Sequence, residues 1–244
     1  MRILAIDAGN SRIKWGVHED GSWRVQGWVA TAQPVRLARE WGKLEPPAVI
    51  IATNVAGERV ARSIVSATRR LKRRVCFVTS VASQCGVKNS YDRPSQLGAD
   101  RWAALIGARH LHRGPCLVVN AGTTMTVDAL AADGVFLGGM IVAGTDLMRG
   151  ALARKTAQLR PRGGKFAYFP ARTADAIESG TVNALAGAVE RMLRFMCEAG
   201  QETPLAMLSG GAARFIAPHL NGTVEVVDNL VLEGLIRIAL EKRT

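Results

Sequence analysis

The sequence lacks the features that define several protein classes. No apolar run is long enough to span a bilayer, and the charged Arg2 and Asp7 interrupt the apolar N-terminal segment, so neither a membrane span nor a secretory signal is predicted. The 4 cysteines form no CxxC pair and no metal-ligand spacing, and the 4 histidines are not grouped. This pattern predicts reduced thiols in a cytoplasmic protein, without a disulfide framework or a zinc site.

Aromatic residues are also scarce, at 5% of the chain. The sequence nevertheless contains 5 tryptophans. We expect them to pack in the core or at an interface and not to form a platform on which bases stack; they are Trp15, Trp23, Trp28, Trp41 and Trp102.

Negative charge is also scarce. The chain has 20 acidic residues and 32 lysines and arginines, which gives a net charge of +12. Such an excess fits a nucleic-acid surface or a solvated basic face that attracts anionic substrates. The one dense basic run, residues 69–74, has no aromatic residues interleaved with it. We therefore expect a solvated basic face and no specific nucleic-acid site.

An internal repeat is the most informative feature that is present. The segment "ILAIDAGNSRIKWGVHEDG" (3–21) and the segment "CLVVNAGTTMTVDALAADG" (116–134) share one plan at one constant offset. Each begins with an apolar strand, turns at Ala-Gly and ends at an Asp-Gly hairpin signal, after which a third strand follows. Asp7 corresponds to Asn120, and Ser11 to Thr124. A gene duplication is the simplest explanation.

Later elements also occur twice. "AVIIATNVAG" (48–57) and "LAMLSGGAA" (205–213) each read as a buried strand, a turn of small residues and a helix. Meandering strands followed by helices that alternate with buried strands predict an α/β fold with mixed sheets. We expect two halves, residues 1–115 and 116–244, with a ligand-binding cleft between them.

The two Ala-Gly turns are candidate phosphate-binding loops. Glycine lets the backbone approach a phosphate closely, and neighbouring N–H and hydroxyl groups donate hydrogen bonds. Asp7 supplies the carboxylate that a Mg²⁺–phosphate site needs, and Lys14 adds positive charge. An ordinary glycine-containing turn explains either loop alone, but two copies in register favour phosphate binding. A further strand–Gly–Gly–helix turn, with Gly210 and Gly211, would let an adenine or ribose lie against the backbone.

These signals, in this order and spacing, resemble the type III pantothenate kinases of the actin-like ATPase superfamily. The resemblance covers residues 1 to about 235 and rests on "DAGNS" (7–11), "LGADR" (97–101), "NAGTT" (120–124), "GGMIVAG" (138–144), "RTADAIESG" (172–180) and "LSGGAA" (208–213). It implies a duplicated ribonuclease H-like fold and the ATP-dependent phosphorylation of pantothenate, the first step of coenzyme A synthesis. It also implies a cytoplasmic homodimer in which the long helical pattern over 174–196 forms the dimer seam.

The resemblance assigns roles to single residues. It places Mg²⁺-ATP against a set that comprises Asp7, Ala8, Gly9, Asn10, Ser11, Arg12, Ile13, Lys14, Thr123, Gly210 and Gly211. The substrate set is Tyr91, Gly98, Ala99, Asp100, Arg101 and Thr173, with Asp100 as the general base. On residue type and place alone, a helix N-cap is the favoured role of Asp100 and a strong alternative for Thr173. Arg101 could lie on a helix surface or hold the carboxylate of pantothenate.

One position departs from the family. Its second loop begins with an aspartate that helps to bind a monovalent cation, potassium or ammonium, whereas this chain has Asn120. An amide oxygen can coordinate a cation but offers no charge to offset it. We therefore expect independence from potassium.

Two alternatives remain open at this point. One is a non-catalytic regulator of the same fold that binds DNA through its basic surface. The other is a kinase for a different small hydroxy acid or sugar, or a phosphatase that shares the loops. It remains open because the loops indicate a nucleotide site and do not identify the acceptor.

Overall fold

The computed structural model describes residues 1–155 and 163–241. The chain forms two compact units, Met1–Leu111 with Asn229–Thr244, and His112–Asp228. Within the described residues, every helix is too short or too polar to cross a membrane.

Strands and helices are numbered in chain order. Up to residue 111 they are β1 (Ile3–Ala8), β2 (Arg12–Glu19), β3 (Ser22–Ala30), α1 (Leu37–Trp41), β4 (Val49–Asn54), α2 (Glu58–Thr68), β5 (Val75–Phe77), β6 (Ser83–Gln84), β7 (Val87–Asn89) and α3 (Ala99–Leu111). The remainder are β8 (Cys116–Ala121), β9 (Thr124–Leu130), β10 (Val135–Ala143), α4 (Thr145–Lys155), α5 (Thr173–Glu198), β11 (Leu205–Ser209), α6 (Ala213–Ile216), β12 (Val224–Val226) and α7 (Leu230–Glu241).

The two units contain the same five-strand arrangement. In the first, the order is β3-β2-β1-β4-β5, and in the second the order β10-β9-β8-β11-β12 repeats it. The three meander strands pair antiparallel, while β1 with β4 and β8 with β11 pair in parallel. Even the burial pattern is identical along β1 and β8, with a single half-buried residue at the next-to-last position. The predicted mixed sheets and the duplication are confirmed.

The register differs from the sequence alignment at one place. Ala8 pairs with Ile13 across the first loop, whereas Ala121 pairs with Met125 across the second. The second loop is therefore one residue shorter, and β9 lies one residue earlier than a constant offset predicts. The strands on either side keep the offset, because the turn between β9 and β10 is longer than the turn between β2 and β3.

Each unit has an apolar core on one face of its sheet. In the first unit α1 and α2 contribute Leu37, Trp41 and Ile64 to a cluster with the inward residues of β1 and β2. In the second unit α5 covers β8, β9 and β11 with side chains that include Leu185 and Val189. In the first unit α3 and α7 also contact the sheet, through β4 and through β1 and β4 respectively.

The last helix, α7, belongs to the first unit and not to the second, which differs from the expected division at residue 115. Its residues contact α3, β1 and β4. Gly234 of α7 lies so close to the backbone of α3 that a Cβ would collide with the carbonyl oxygen of Ala103, and a Cβ on Gly107 of α3 would collide with the carbonyl oxygen of Leu230. Two glycines thus permit a backbone contact that the sequence pattern alone did not locate.

We expect Gly234→Ala to destabilise the protein by about 1–3 kcal/mol, because the added methyl group overpacks a contact with rigid backbone. The measurement is chemical denaturation of the purified variant. Leu240→Ala, an exposed position on the same helix, is the matched control and should change stability by less than about 0.5 kcal/mol. Equal stability of Gly234→Ala and wild type would contradict the observed helix packing.

Candidate active site

Asp7 lies near the carboxyl end of β1, the central strand of the first sheet. The hydroxyl of Thr53, fully buried on β4, donates a hydrogen bond of 2.9 Å to Asp7 Oδ1. Thr53 is directly opposite Asp7 in the parallel register. The sequence did not single out Thr53, because its role depends on which strand β1 pairs with.

The surroundings of Asp7 disfavour its charge. Burial raises the pKa of Asp7 to about 6, the Thr53 hydrogen bond lowers it, the charge of Asp100 raises it and the charge of Lys14 lowers it. Burial is the largest of these causes. Asp7 is therefore a carboxylate that gains from a bound cation.

The first loop is held by backbone and side-chain hydrogen bonds. The N–H of Gly9 donates to the carbonyl of Arg12 at 3.1 Å. Thr31, a buried residue just after β3, donates from its N–H to the Ser11 carbonyl and from its hydroxyl to the Gly9 carbonyl at 2.7 Å. Asn10 and Ser11 remain exposed at the tip. Ala8 and Ile13 are buried, so they offer a ligand only backbone groups.

Asp100 lies in the first turn of α3, one residue after the helix begins at Ala99. Its Oδ1 accepts a 2.8 Å hydrogen bond from the N–H of Arg101. A Cβ on Gly98 would lie 2.6 Å from that oxygen, so glycine makes room for the carboxylate to fold back. Because the Asp100 charge raises the pKa of Asp7, the fold brings together two carboxylates that are far apart in sequence.

Arg101, which is buried, contacts the half-buried Tyr91. Arg101 is only 5% exposed, so the alternative that it lies on the helix surface is wrong. Its Nη1 donates to the Tyr91 hydroxyl at 3.2 Å, and the N–H of Tyr91 donates to Asn89 Oδ1 at 3.1 Å. These contacts hold the guanidinium and the phenol in one cluster.

The second loop and the paired-glycine turn pack on one another within the second unit. The N–H of Ala212 donates to the Ala121 carbonyl at 3.0 Å, and Gly210, at φ +99°, leaves no space for a Cβ beside that carbonyl. Gly144 donates its N–H to the Thr123 carbonyl at 3.0 Å and would collide with it if it carried a Cβ. Gly211 is exposed beside them. The predicted second phosphate loop and adenosine turn are thus neighbours.

Asn120 is the next-to-last residue of β8, as Asp7 is of β1. It lies opposite Ser209 on β11 and opposite Thr126 on β9. The hydroxyl of Thr126 is buried without a hydrogen-bond partner among the described residues. The positions that flank Asn120 are therefore polar but uncharged.

Thr173 is the first residue of α5, and Arg172 is the N-cap, without a side-chain capping bond. The interpretation of Thr173 as a helix cap is therefore wrong, and its exposed hydroxyl is not used in that way. Thr173 belongs to the second unit, whereas Tyr91 and residues 98–101 belong to the first. Farther along α5, a Cβ on Gly180 or Gly187 would meet no other atom.

The acidic residues fit a magnesium ion that is held mainly by its nucleotide. Among residues 1–155 and 163–241, no three His, Cys, Asp or Glu side chains are grouped as a metal cage. Mg²⁺ is commonly bound by one or two carboxylates together with substrate phosphates and water. Asp7, whose pKa is raised mainly by burial, suits that arrangement.

The charged side chains of the basic run over residues 69–74 are all exposed. The run follows α2, and its charged members are Arg69, Arg70, Lys72, Arg73 and Arg74. This exposure is consistent with a solvated basic face.

Comparison with known proteins gives consistent similarities. The family model described as type III pantothenate kinase matches residues 3–194. A type III pantothenate kinase of Nitrosospira multiformis is 48% identical over 98% of this chain and 91% of its own length. That of Aromatoleum aromaticum is 49% identical over 98% of both chains.

Solved structures show the same fold. A putative Baf family transcriptional activator from Campylobacter jejuni superposes with a TM-score of 0.64 at 18% identity over 98% of both chains. A putative 2-dehydro-3-deoxygalactonokinase from Sinorhizobium meliloti gives 0.58 at 20% identity, over 98% of this chain and 99% of its own. At such identities the structures establish the fold alone, which confirms the predicted duplicated ribonuclease H-like, actin-like ATPase architecture.

We expect Asp7→Asn to raise the melting temperature of the ligand-free protein at pH 7.5. The pKa of Asp7 lies near 6 in the folded protein against an ordinary 3.8, so its ionisation opposes folding fully above about pH 6 and less as the pH falls towards 4. In thermal melts, the increase in melting temperature of Asp7→Asn over wild type should therefore become smaller as the pH falls from about 6 to 4. Mg²⁺-ATP should stabilise wild type more than the variant, because the variant lacks the carboxylate.

Asp92→Asn, at an exposed aspartate, serves as the control and should show no such pH dependence. A gain that is equal at pH 4.5 and pH 7.5, or a loss at pH 7.5, would contradict the buried, charge-coupled environment of Asp7.

Proposed function

The chain belongs to the type III pantothenate kinase family, and we propose that it transfers the γ-phosphoryl group of ATP to the primary hydroxyl of pantothenate. The products are 4′-phosphopantothenate and ADP, the first step of coenzyme A synthesis. The observation that carries the proposal is the electrostatic coupling of Asp7 and Asp100 in one unit. One carboxylate suits the metal–nucleotide, and the other lies in the family motif for the acceptor.

Asp100 is the proposed general base. The hydroxyl oxygen forms its bond to the γ-phosphorus while the bond to the bridging oxygen of ADP breaks, and Asp100 accepts the hydroxyl proton. In a loose phosphoryl transfer the alcohol need not ionise beforehand, so a carboxylate of ordinary basicity suffices. Its Oδ1 accepts from the Arg101 N–H, which leaves Oδ2 to receive the proton.

The nucleotide would be held by backbone donors and by charge. The proposed contacts are the loop after Asp7 with Lys14, the second loop at Thr123, and the Gly210–Gly211 turn for the adenosine. Mg²⁺ bound with ATP would offset phosphate charge during transfer. The rigid bonding of the first loop by Thr31 favours preorganised donors over donors that must be ordered on binding.

Pantothenate would be held by residues 98–101, Tyr91 and Thr173. The buried Arg101, bonded to Tyr91, can offer a guanidinium edge to the carboxylate of the substrate. Thr173 has an exposed hydroxyl that caps nothing, which supports a role in binding. We also propose a homodimer through α5, whose exposed Gly180 and Gly187 leave space for close approach by another helix.

The test is a coupled assay of ADP release with pantothenate against a panel of hydroxylated acids and sugars. We expect turnover with pantothenate to exceed that with every other acceptor. A different preferred acceptor would replace the substrate assignment. Tight binding of a defined DNA sequence at physiological salt, without ADP release, would favour a regulator instead.

Asp100→Asn should lower turnover by about two to four orders of magnitude, the usual contribution of a positioned acid–base group. The melting temperature should barely move, since the amide oxygen can still accept the Arg101 N–H. Steady-state kinetics and a thermal melt of the same preparation measure both effects. Near-normal turnover would return Asp100 to a structural role in the first turn of α3.

We propose that activity does not require potassium, because Asn120 brings no negative charge and is flanked by the uncharged Ser209 and Thr126. An amide N–H₂ from Asn120, or a basic side chain such as Lys14, would then act on the phosphates in place of potassium or ammonium. Asn120→Asp should introduce or strengthen a response to potassium.

The measurement is activity in sodium or Tris buffer with potassium titrated at constant ionic strength, for wild type and Asn120→Asp. Strong activation of wild type by millimolar potassium would show that Asn120 still serves a cation site. No difference between the two proteins would remove the link between this position and the cation.

A further inference from the structure

Four side chains form a row across the first sheet at the end where Asp7 lies. Thr53, Asp7, Lys14 and Trp28 are directly opposite one another on β4, β1, β2 and β3. Opposed residues share one face of a sheet, and with a strand spacing near 4.8 Å the row spans about 14 Å. The Thr53–Asp7 hydrogen bond and the effect of Lys14 on the pKa of Asp7 agree with this placement.

Trp28, at the outer end of the row, is 56% exposed, whereas the sequence had assigned all tryptophans to packing. Trp15, Trp41 and Trp102 are indeed buried, and Trp23 donates from Nε1 to Glu233 at 2.6 Å. Trp28 instead contacts Arg12, whose guanidinium carbon lies 4.4 Å from the centre of the indole ring. An exposed indole is therefore used to hold a cation.

Arg12 connects this contact to the first loop. Its carbonyl accepts the Gly9 N–H that closes the loop, and its side chain lies on the same sheet face as Lys14, two residues on. Among residues 1–155 and 163–241, Arg12 makes no ion pair within 4 Å. The loop thus holds the backbone of Arg12, and Trp28 holds its guanidinium. In the described part of the chain, no carboxylate forms an ion pair with this guanidinium.

A stacked guanidinium keeps its binding capacity. Stacking uses the flat face of the group, while its N–H donors point outward in the plane and can bind two oxygens of one phosphate. An arginine held in this way loses less side-chain freedom when it binds an anion, because the ring has already restricted it. The contact with Trp28 therefore orders Arg12 beside a loop that we assign to phosphate.

We propose that Trp28 is a positioning residue of the nucleotide site, which holds Arg12 so that its N–H edge binds an anionic oxygen of the nucleoside triphosphate. The inference rests on the proposed use of ATP, but it concerns residues outside the paired carboxylates. The contribution of Trp28 to nucleotide affinity should therefore depend on the phosphate chain of the nucleotide and not on its base.

A double-mutant cycle tests the proposal. Trp28→Ala and Arg12→Ala should each raise the Kd for a non-hydrolysable ATP analogue about fivefold, as expected for loss of a partly exposed cation–π contact and of the phosphate contact it supports. The double variant should bind within about twofold of Arg12→Ala alone, because both changes remove one interaction.

Two further variants make the result specific. Trp28→Phe keeps an aromatic face and should retain part of the affinity if Trp28→Ala disturbs folding. Arg24→Ala removes an exposed arginine from the same strand, β3, outside the row. It should leave the Kd unchanged, which separates the position of the charge from the net charge.

Acrylamide quenching of tryptophan fluorescence gives an independent readout, because Trp28 is the most exposed tryptophan. The ATP analogue should reduce quenching in wild type and not in Arg12→Ala, and AMP, which lacks the outer phosphates, should have little effect. Equal protection by AMP would mean that the base stacks on Trp28 and would overturn the proposal.

Other outcomes are equally decisive. Additive effects in the cycle, or wild-type affinity in both single variants, would overturn the role of Trp28 even if the protein phosphorylates pantothenate. Conversely, the expected binding pattern without transfer to pantothenate would overturn the proposed function and leave the role of Trp28 standing.

Discussion

The site depends on a strand that is hydrogen-bonded on both sides. β1 and β8 each pair with one antiparallel and one parallel neighbour, so their backbone groups are all used within the sheet. The first free backbone donors occur where the strand ends and the chain must turn. Glycine at that turn keeps the donors accessible, and the last polar side chain of the strand, Asp7 or Asn120, is delivered beside them. In the proposed function, phosphate binding is thus a consequence of how a central strand ends.

The electrostatics of the first unit follow from that placement. Burial within the sheet raises the pKa of Asp7, and the charge of Asp100, which arrives from the first turn of α3, raises it further. Lys14 offsets part of this cost, as the direction of its effect on the pKa of Asp7 shows. A protein that kept this pair for stability alone would gain by replacing one member. The arrangement makes sense where a cation and a phosphate chain complete it.

Periodic patterns and short-range turn signals predicted the strands, the duplication and the loops, because these features are encoded within a few residues. Contacts between residues that are distant in sequence could not be predicted in the same way, because they depend on how strands and helices pack. Thr53 and Thr31 act through strand neighbours that are distant in sequence, and α7 joins the first unit through a glycine-to-backbone contact. Trp28 shows the limit most clearly: its residue type favours burial, and only the register reveals that it lies exposed beside Arg12.

The duplicated rows explain why the second loop can lack a charge. In the second unit Ser209, Asn120, Thr126 and Ile141 occupy the register positions of Thr53, Asp7, Lys14 and Trp28. The geometry is the same, but the lysine has become threonine. A carboxylate at position 120 would therefore have no cationic neighbour in its row and would need an ion from solution, whereas Asp7 has Lys14 beside it. The uncharged Asn120 and the absence of a lysine at position 126 therefore agree with one another, as the proposed independence from potassium requires.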